Sequence, residues 1–144
     1  MSLYNVFNIT GSGMSAQSVR LNTTASNLAN AQTVASSVNE TYKARHPVFS
    51  AMFADGFMTE KSDGVFNTNG GVKVMGIVES NAPYDLRYEP HHPMSDEQGY
   101  VTYPNVNVVE EMTNMISASR SYQMNVELMN TAKTMAQRVL TLGQ

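Results

Sequence analysis

Phe7, Met14, Leu21 and Leu28 stand seven residues apart, with Tyr4, Gly11, Ser18 and Ala25 interleaved at steps of three and four. Such a repeat draws one line of side chains along a helix and predicts lengthwise packing against a second helix. Gly11 and Gly13 each weaken that helix by about 1 kcal/mol relative to Ala. It is expected to fade near Asn30, with "NAQT" beyond. Its polar side is the stronger constraint. From Met1 to Asn39 the only charged side chain is Arg20, and Asn, Ser and Thr stand where a solvated helix carries Glu and Lys. Those short side chains compete for backbone hydrogen bonds and add no ion pairs along the helix. The helix is therefore expected to be marginal alone, its uncharged face covered by other helices through side-chain hydrogen bonds.

The C-terminus behaves as a partner. Pro104 breaks what precedes it, Asn107 can cap a helix, and Glu110 sits three residues on in a variant of the capping box. One helix is predicted from there to Leu142, closed by Gly143. Met115, Ala118, Tyr122, Asn125, Met129, Ala132, Ala136 and Val139 follow a heptad, while Ile116, Val126, Leu128, Met135 and Leu142 widen it. This helix is expected to have more than one neighbour, with Asn125 specifying register at some cost in stability.

Between the helices the texture changes. "VKVMGIV" (72–78), "DLRYEP" and "GYVTY" are β-like, and residues 50–71 look like an exposed excursion of Gly and small polar residues. The predicted fold is mainly α with a small β insert: two long antiparallel coiled-coil helices flanking a short irregular β module. Residues 1–34 and 106–144 form the helices, together one inner domain, and 35–105 the module.

The chemistry classes empty quickly. A net charge of −3, with charged residues at 15%, gives no basic cluster to displace counterions from a nucleic acid. No apolar run approaches the roughly 20 residues that span a bilayer. "MSLYNVFNITGSG" lacks the basic and continuous apolar regions of a conventional secretory signal. Zero cysteines exclude disulfides, thiolate nucleophiles and cysteine zinc sites. The run "YEPHHPMSDEQGYVTYPNVN" (88–107) gathers histidines and acids, but adjacent His91 and His92 point apart in an extended segment between Pro90 and Pro93. Asp96 and Glu97 lie in another local frame, and His46 has no partner at ligand spacing. A connector, with no metal, cofactor or catalytic residue, is the expectation.

Two longer stretches carry a family resemblance. "SGMSAQSVRLNTTASNLANAQT" (12–33), centred on Ser26, Asn27, Leu28, Ala29 and Asn30, resembles the N-terminal motif of the axial proteins of the bacterial flagellum, the rod and hook family. "YEPHHPMSDEQGYVTYPNVNVVEEM" followed by "ISASRSYQMNVELMNTAKTM" is similar to its proximal-rod branch. There the pattern DPxHPxAxxxGYVxxPNV is met by His92, Pro93, Gly99, Tyr100, Pro104 and Asn105, with Glu89 and Ser95 as mild departures. "YKARHPVF" (42–49) fits as well, and residues 50–71 look like extra length relative to the family.

The resemblance implies a structural subunit, exported unfolded by the flagellar type III apparatus and assembled in the periplasm into a helical drive shaft. Implied partners are other rod proteins, further copies of the chain, membrane-ring or adaptor proteins, and the export gate. Phe7, Met14, Leu21, Leu28, Met115, Tyr122, Met129 and Val139 would then form the assembly seam, and Phe49 and Phe53 of "FSAMF" a short export signal. A small helical adaptor, or a secreted type III protein sharing only the terminal pattern, is the alternative.

Overall fold

The computed structural model describes residues 3–35, 40–52 and 70–142. A helix stands at each end, α1 (Leu3–Asn30) and α2 (Val108–Leu142). Between them lie β1 (Arg45–Met52), β2 (Gly71–Glu79), β3 (Asp85–Tyr88) and β4 (Tyr100–Tyr103). The strands form two two-stranded sheets, β1 with β2 and β3 with β4. β3 and β4 are antiparallel, Asp85 opposite Tyr103 and Tyr88 opposite Tyr100.

The helix ends follow from local chemistry. At the start of α2, Asn107 Oδ1 accepts from the amides of Val109 (3.1 Å) and Glu110 (3.4 Å), satisfying donors that have no partner inside the helix. Glu110 and Glu111 in the first turn suit its positive pole. α1 ends at Asn30, whose side chain turns back to the Ser26 carbonyl at 2.8 Å. Gly143, the expected closure of α2, lies outside the described residues.

One strand was not expected from the pattern. Residues 45–52 form β1, so the supposed excursion begins as a strand and ends as the start of β2. Pro47 and the absence of apolar alternation hide β1 in the sequence; its side chains are almost all exposed, which removes the usual period-two signal. Residues 53–69, between the two strands, lie outside the described residues.

The chain divides into two compact units, and both helices contribute to each. The first unit contains Met1–Val19, Val48–Gly76 and Ala118–Gln144. Its buried residues among those described are Thr10, Ala16, Ala118 and Ala132, all small. Gly13 lies against α2: a Cβ there would stand 3.0 Å from Asn125 Nδ2. The cost of glycine in that helix is thus tied to a close approach, and Asn125 occupies the space. Ser12 Oγ donates to the Ile9 carbonyl (2.8 Å) and accepts from the Val72 amide (3.2 Å), fastening the start of β2 to α1.

The second unit contains Arg20–Pro47 and Ile77–Ser117. Its interior is mostly polar or small: Thr23, Thr24, Asn27, Ala31, Thr41, Ala44, Val101 and Glu111 are buried. Thr24 Oγ1 bonds back to the carbonyls of Arg20 and Leu21, both at 3.0 Å, so its hydroxyl needs no foreign partner to be buried. Arg20, the lone charge of the N-terminal stretch, donates to Asn114 Oδ1 of α2 at 2.8 Å.

Candidate assembly surface

The signature "SNLAN" acts first inside the chain. Asn27 is fully buried, and its Nδ2 donates to the Arg45 carbonyl at 2.8 Å while its Oδ1 accepts from the Arg45 amide at 2.9 Å. The side-chain amide pairs with residue 45 as a neighbouring strand would. Tyr42 adds its hydroxyl to the same oxygen at 2.9 Å and lies 3.3 Å from Ser26 Oγ. Asn105, from "PNV", grips the preceding residue: its Oδ1 accepts from the Ala44 amide and its Nδ2 donates to the Ala82 carbonyl, both at 2.8 Å. The Ala44 carbonyl accepts from the Ser80 amide at 2.7 Å. All four backbone polar groups of residues 44 and 45 are therefore satisfied, three of them by two asparagines far apart in the chain. The uncharged side of α1 is thus covered at Asn27 by the chain's own residues 42–45, and not by another helix as expected.

The 88–107 run makes the end of β3, the turn into β4, β4 itself and the approach to α2. His92 Nδ1 accepts from the Met94 amide at 3.1 Å, which ties that ring nitrogen to the turn. Asp96 Oδ1 accepts from the amides of Gln98 (2.9 Å) and Tyr100 (2.8 Å). Gly99 is buried with φ of +83°, and a Cβ there would meet the Tyr88 ring at 3.0 Å and Pro90 Cβ at 3.2 Å. Pro104 is buried beyond β4; Pro93 and His91 are exposed. Among the described residues, no three His, Asp or Glu side chains gather as a metal site needs.

The seam residues occupy intermediate ground. Phe7, Met14, Leu21 and Leu28 are half-buried, and so are Met115 and Met129, while Tyr122 and Val139 are exposed. On α1 the shielded side runs instead through Thr10, Gly13, Ala16, Arg20, Thr24 and Asn27, about a quarter-turn from the large apolar line, and buried Ala31 follows just past its end. Small side chains hold that side because they allow close backbone approach; their spacing was the signal the apolar count passed over. Ala29 faces outward, and Phe49 lies exposed in β1 while Phe53 is outside the described residues.

Large apolar side chains are left uncovered on every element of the module and on α2. Met75, Ile77 and Val78 on β2 and Met112, Ile116, Met124, Leu128 and Met135 on α2 all keep half or more of their surface open. Side chains of this size exposed together mark contact surfaces. No helix among the described residues is long and apolar enough to cross a membrane.

Residues 7–34 match a family model described as flagella basal body rod protein. Residues 97–142 match one described as flagellar basal body rod FlgEFG protein C-terminal. Over the whole of both chains, the sequence is 51% identical to flagellar basal-body rod protein FlgC of Escherichia coli O6:H1 and 50% to that of Salmonella typhimurium. The FlgC of Borreliella burgdorferi is 34% identical, across all of this chain and 99% of the relative.

Proposed function

The chain belongs to the FlgC family of flagellar basal-body rod proteins and is a structural component of the rod, and from that premise we propose a mechanism for how it builds the shaft. It serves in the proximal rod, reaches the periplasm through the flagellar type III apparatus and enters a helical assembly of its own copies and other rod proteins. The terminal helices pair as an antiparallel coiled coil, a reading supported by Gly13 beside Asn125 and by Arg20 bonded to Asn114. Membrane-ring or adaptor proteins meet it at the base. The relatives match across the full length, beyond the terminal pattern that an adaptor would share.

The observation that carries this reading is the mismatch between interior and surface. Buried apolar residues among those described are five alanines and Val101, while Met112, Ile116, Met124, Leu128 and Met135 stand open on one helix. Ordering a residue costs roughly 1–2 kcal/mol of backbone entropy, and alanine burial offsets little of it. Neighbouring subunits supply the missing burial, so ordering of the helical arms is coupled to incorporation. Methionine suits the role because it fills irregular gaps between unlike partners.

The test is genetic and structural. Leu21→Ala or Leu28→Ala should leave the chain soluble and exported but prevent rod assembly, seen as loss of swimming and of rods in isolated basal bodies. Normal swimming by either strain removes the seam. For export, Phe49→Ala should slow appearance of the chain outside the cytoplasm, and unchanged secretion would discard "FSAMF" as the signal.

A further inference from the structure

The two units carry opposite charge among their described residues. The second holds four basic against eight acidic side chains. The first holds Lys73, Arg120, Lys133 and Arg138 against a single acid, Glu127. Residues 53–69 add three acids and one lysine, which closes the net charge of −3.

In each unit the charge borders an open apolar face. On α2, Met124, Leu128, Met135 and Val139 fall along one side, all exposed. At about 100° per residue, Arg120 and Arg138 lie on one edge of that stripe with Glu127 between them. In the hairpin, the register puts Leu86, Tyr88, Tyr100 and Thr102 on one face, opposite the face holding buried Val101. Leu86, Tyr88 and Tyr100 are exposed, the two tyrosines in an edge-to-face pair with centroids 5.4 Å apart. The loop closing that hairpin carries Asp96 and Glu97, both exposed.

Building on the assembly reading above, we infer that copies of this chain join through these two unlike surfaces: the Arg138 edge and apolar stripe of α2 in one copy seat on the tyrosine face and acidic loop of the hairpin in the next. Charge selects the pairing. Two hairpin faces would oppose carboxylates to carboxylates, and two α2 faces guanidinium to guanidinium. Only the unlike pairing sets Arg120 and Arg138 against Asp96 and Glu97. The tyrosines present rigid aromatic area at the centre of the contact and the methionines conform to it. A contact between different surfaces of identical copies does not close by two-fold symmetry; it repeats around an axis, as a ring or an open helix.

The absence of cysteine makes the contact directly readable. Full-length Glu97→Cys and Arg138→Cys chains, mixed in equal amounts at low ionic strength and oxidised in air, should favour mixed disulfide dimers over same-variant dimers by more than about tenfold. That excess should collapse near 1 M salt, where the screening length is about 3 Å. In light scattering, Arg138→Glu and Glu97→Arg should each weaken association about tenfold, and the chain carrying both should recover it. Same-variant dimers in equal yield, no disulfide dimer, or no recovery in the double variant overturn the inference. A strain with these variants that still builds rods, while the mixed disulfide never forms, leaves the rod role intact and removes only this contact. Failure of the wild-type chain to enter rods at all removes the rod role itself.

Discussion

The two compact units draw on the same two helices and the same β1–β2 sheet, yet different forces hold them. In the second, asparagine amides, a tyrosine hydroxyl and an arginine join segments 15 to 94 residues apart through hydrogen bonds of 2.8–2.9 Å. In the first, the corresponding tie among the described residues is the 3.2 Å bond from Val72 to Ser12, and the buried side chains are alanines and a threonine. The clamp on residues 44 and 45 satisfies each backbone group it touches, and such buried polar networks are specific and cooperative, although Glu111 Oε2, buried in the same unit, has no hydrogen-bond partner. Helix faces holding small side chains and flanked by exposed methionines are adaptable, and their stability depends on what else covers them. The difference is one of degree: the second unit fastens its own segments with polar ties and the first has fewer of them, while both leave large apolar side chains open for neighbours.

The sharpest way to break that contrast is amide exchange on the free full-length chain. Residues 22–30, 41–47 and 100–117 should exchange slower by about two orders of magnitude than 5–17 and 122–140, since exchange tracks local opening. Both helices should then show a step in protection partway along their length, near residues 19 and 118. After incorporation into rods the step should vanish. Uniform protection along α1 in the free chain would erase the distinction between the units.

Asn27→Ala attacks the second unit at its most buried polar point. The change leaves the Arg45 amide and carbonyl, held in part-buried bonds, without their partners, at up to about 1–3 kcal/mol for each. The expected result is a loss of roughly 2–5 kcal/mol in thermal or urea unfolding, with early exchange confined to 22–30 and 41–47. If exchange in 5–17 rises equally, the units are one cooperative body.

How far the sequence foretold this arrangement depends on the kind of interaction. Helix ends were legible because caps and breakers act locally: Asn107 caps α2 as its position implied. The α2 stripe from Met115 to Ala136 coincides with the shielded side of that helix, except Tyr122, because its members are apolar or small. On α1 the large apolar line and the shielded side diverge, since close approach selected Gly13, Ala16 and Thr24 over bulk. The asparagine clamp was only half visible. An uncharged, Asn-rich helix face announces that hydrogen bonds are needed, but the partners at residues 44 and 45 are backbone groups, which leave no mark in sequence. β1 was hidden for a similar reason: its stability lies in pairing with β2, not in a buried face.

A smaller effect is expected at Gly99. With φ of +83° and the Tyr88 ring and Pro90 crowding the missing Cβ, Gly99→Ala should cost about 1–3 kcal/mol through left-handed strain and displacement of the ring. The damage should stay within the hairpin, read as faster exchange at residues 85–88 and 100–103 with the Asn27 clamp intact. Loss of protection at 41–47 as well would show that hairpin and clamp form a single cooperative element.

The smallest effect, and the finest test of the comparison, is Gly13→Ala in the first unit. Two terms oppose each other there. Alanine favours an interior helix position over glycine by about 1 kcal/mol. Against that, the new methyl would sit 3.0 Å from Asn125 Nδ2, closer than a settled contact allows. The obstructing atom is the end of a side chain that can rotate, whereas at Gly99 the obstruction includes a proline ring. In a loosely completed unit the Asn125 amide should swing aside, and the variant should lie within about 1 kcal/mol of wild type in unfolding, with α1 slightly more helical when dilute. The cost should appear on assembly, because the displaced amide no longer sets the register between the helices; rods should form more slowly although the free chain is no less stable. A loss above about 2 kcal/mol in the free chain would mean that this contact is already tightly packed without neighbours, and that the first unit is as self-sufficient as the second.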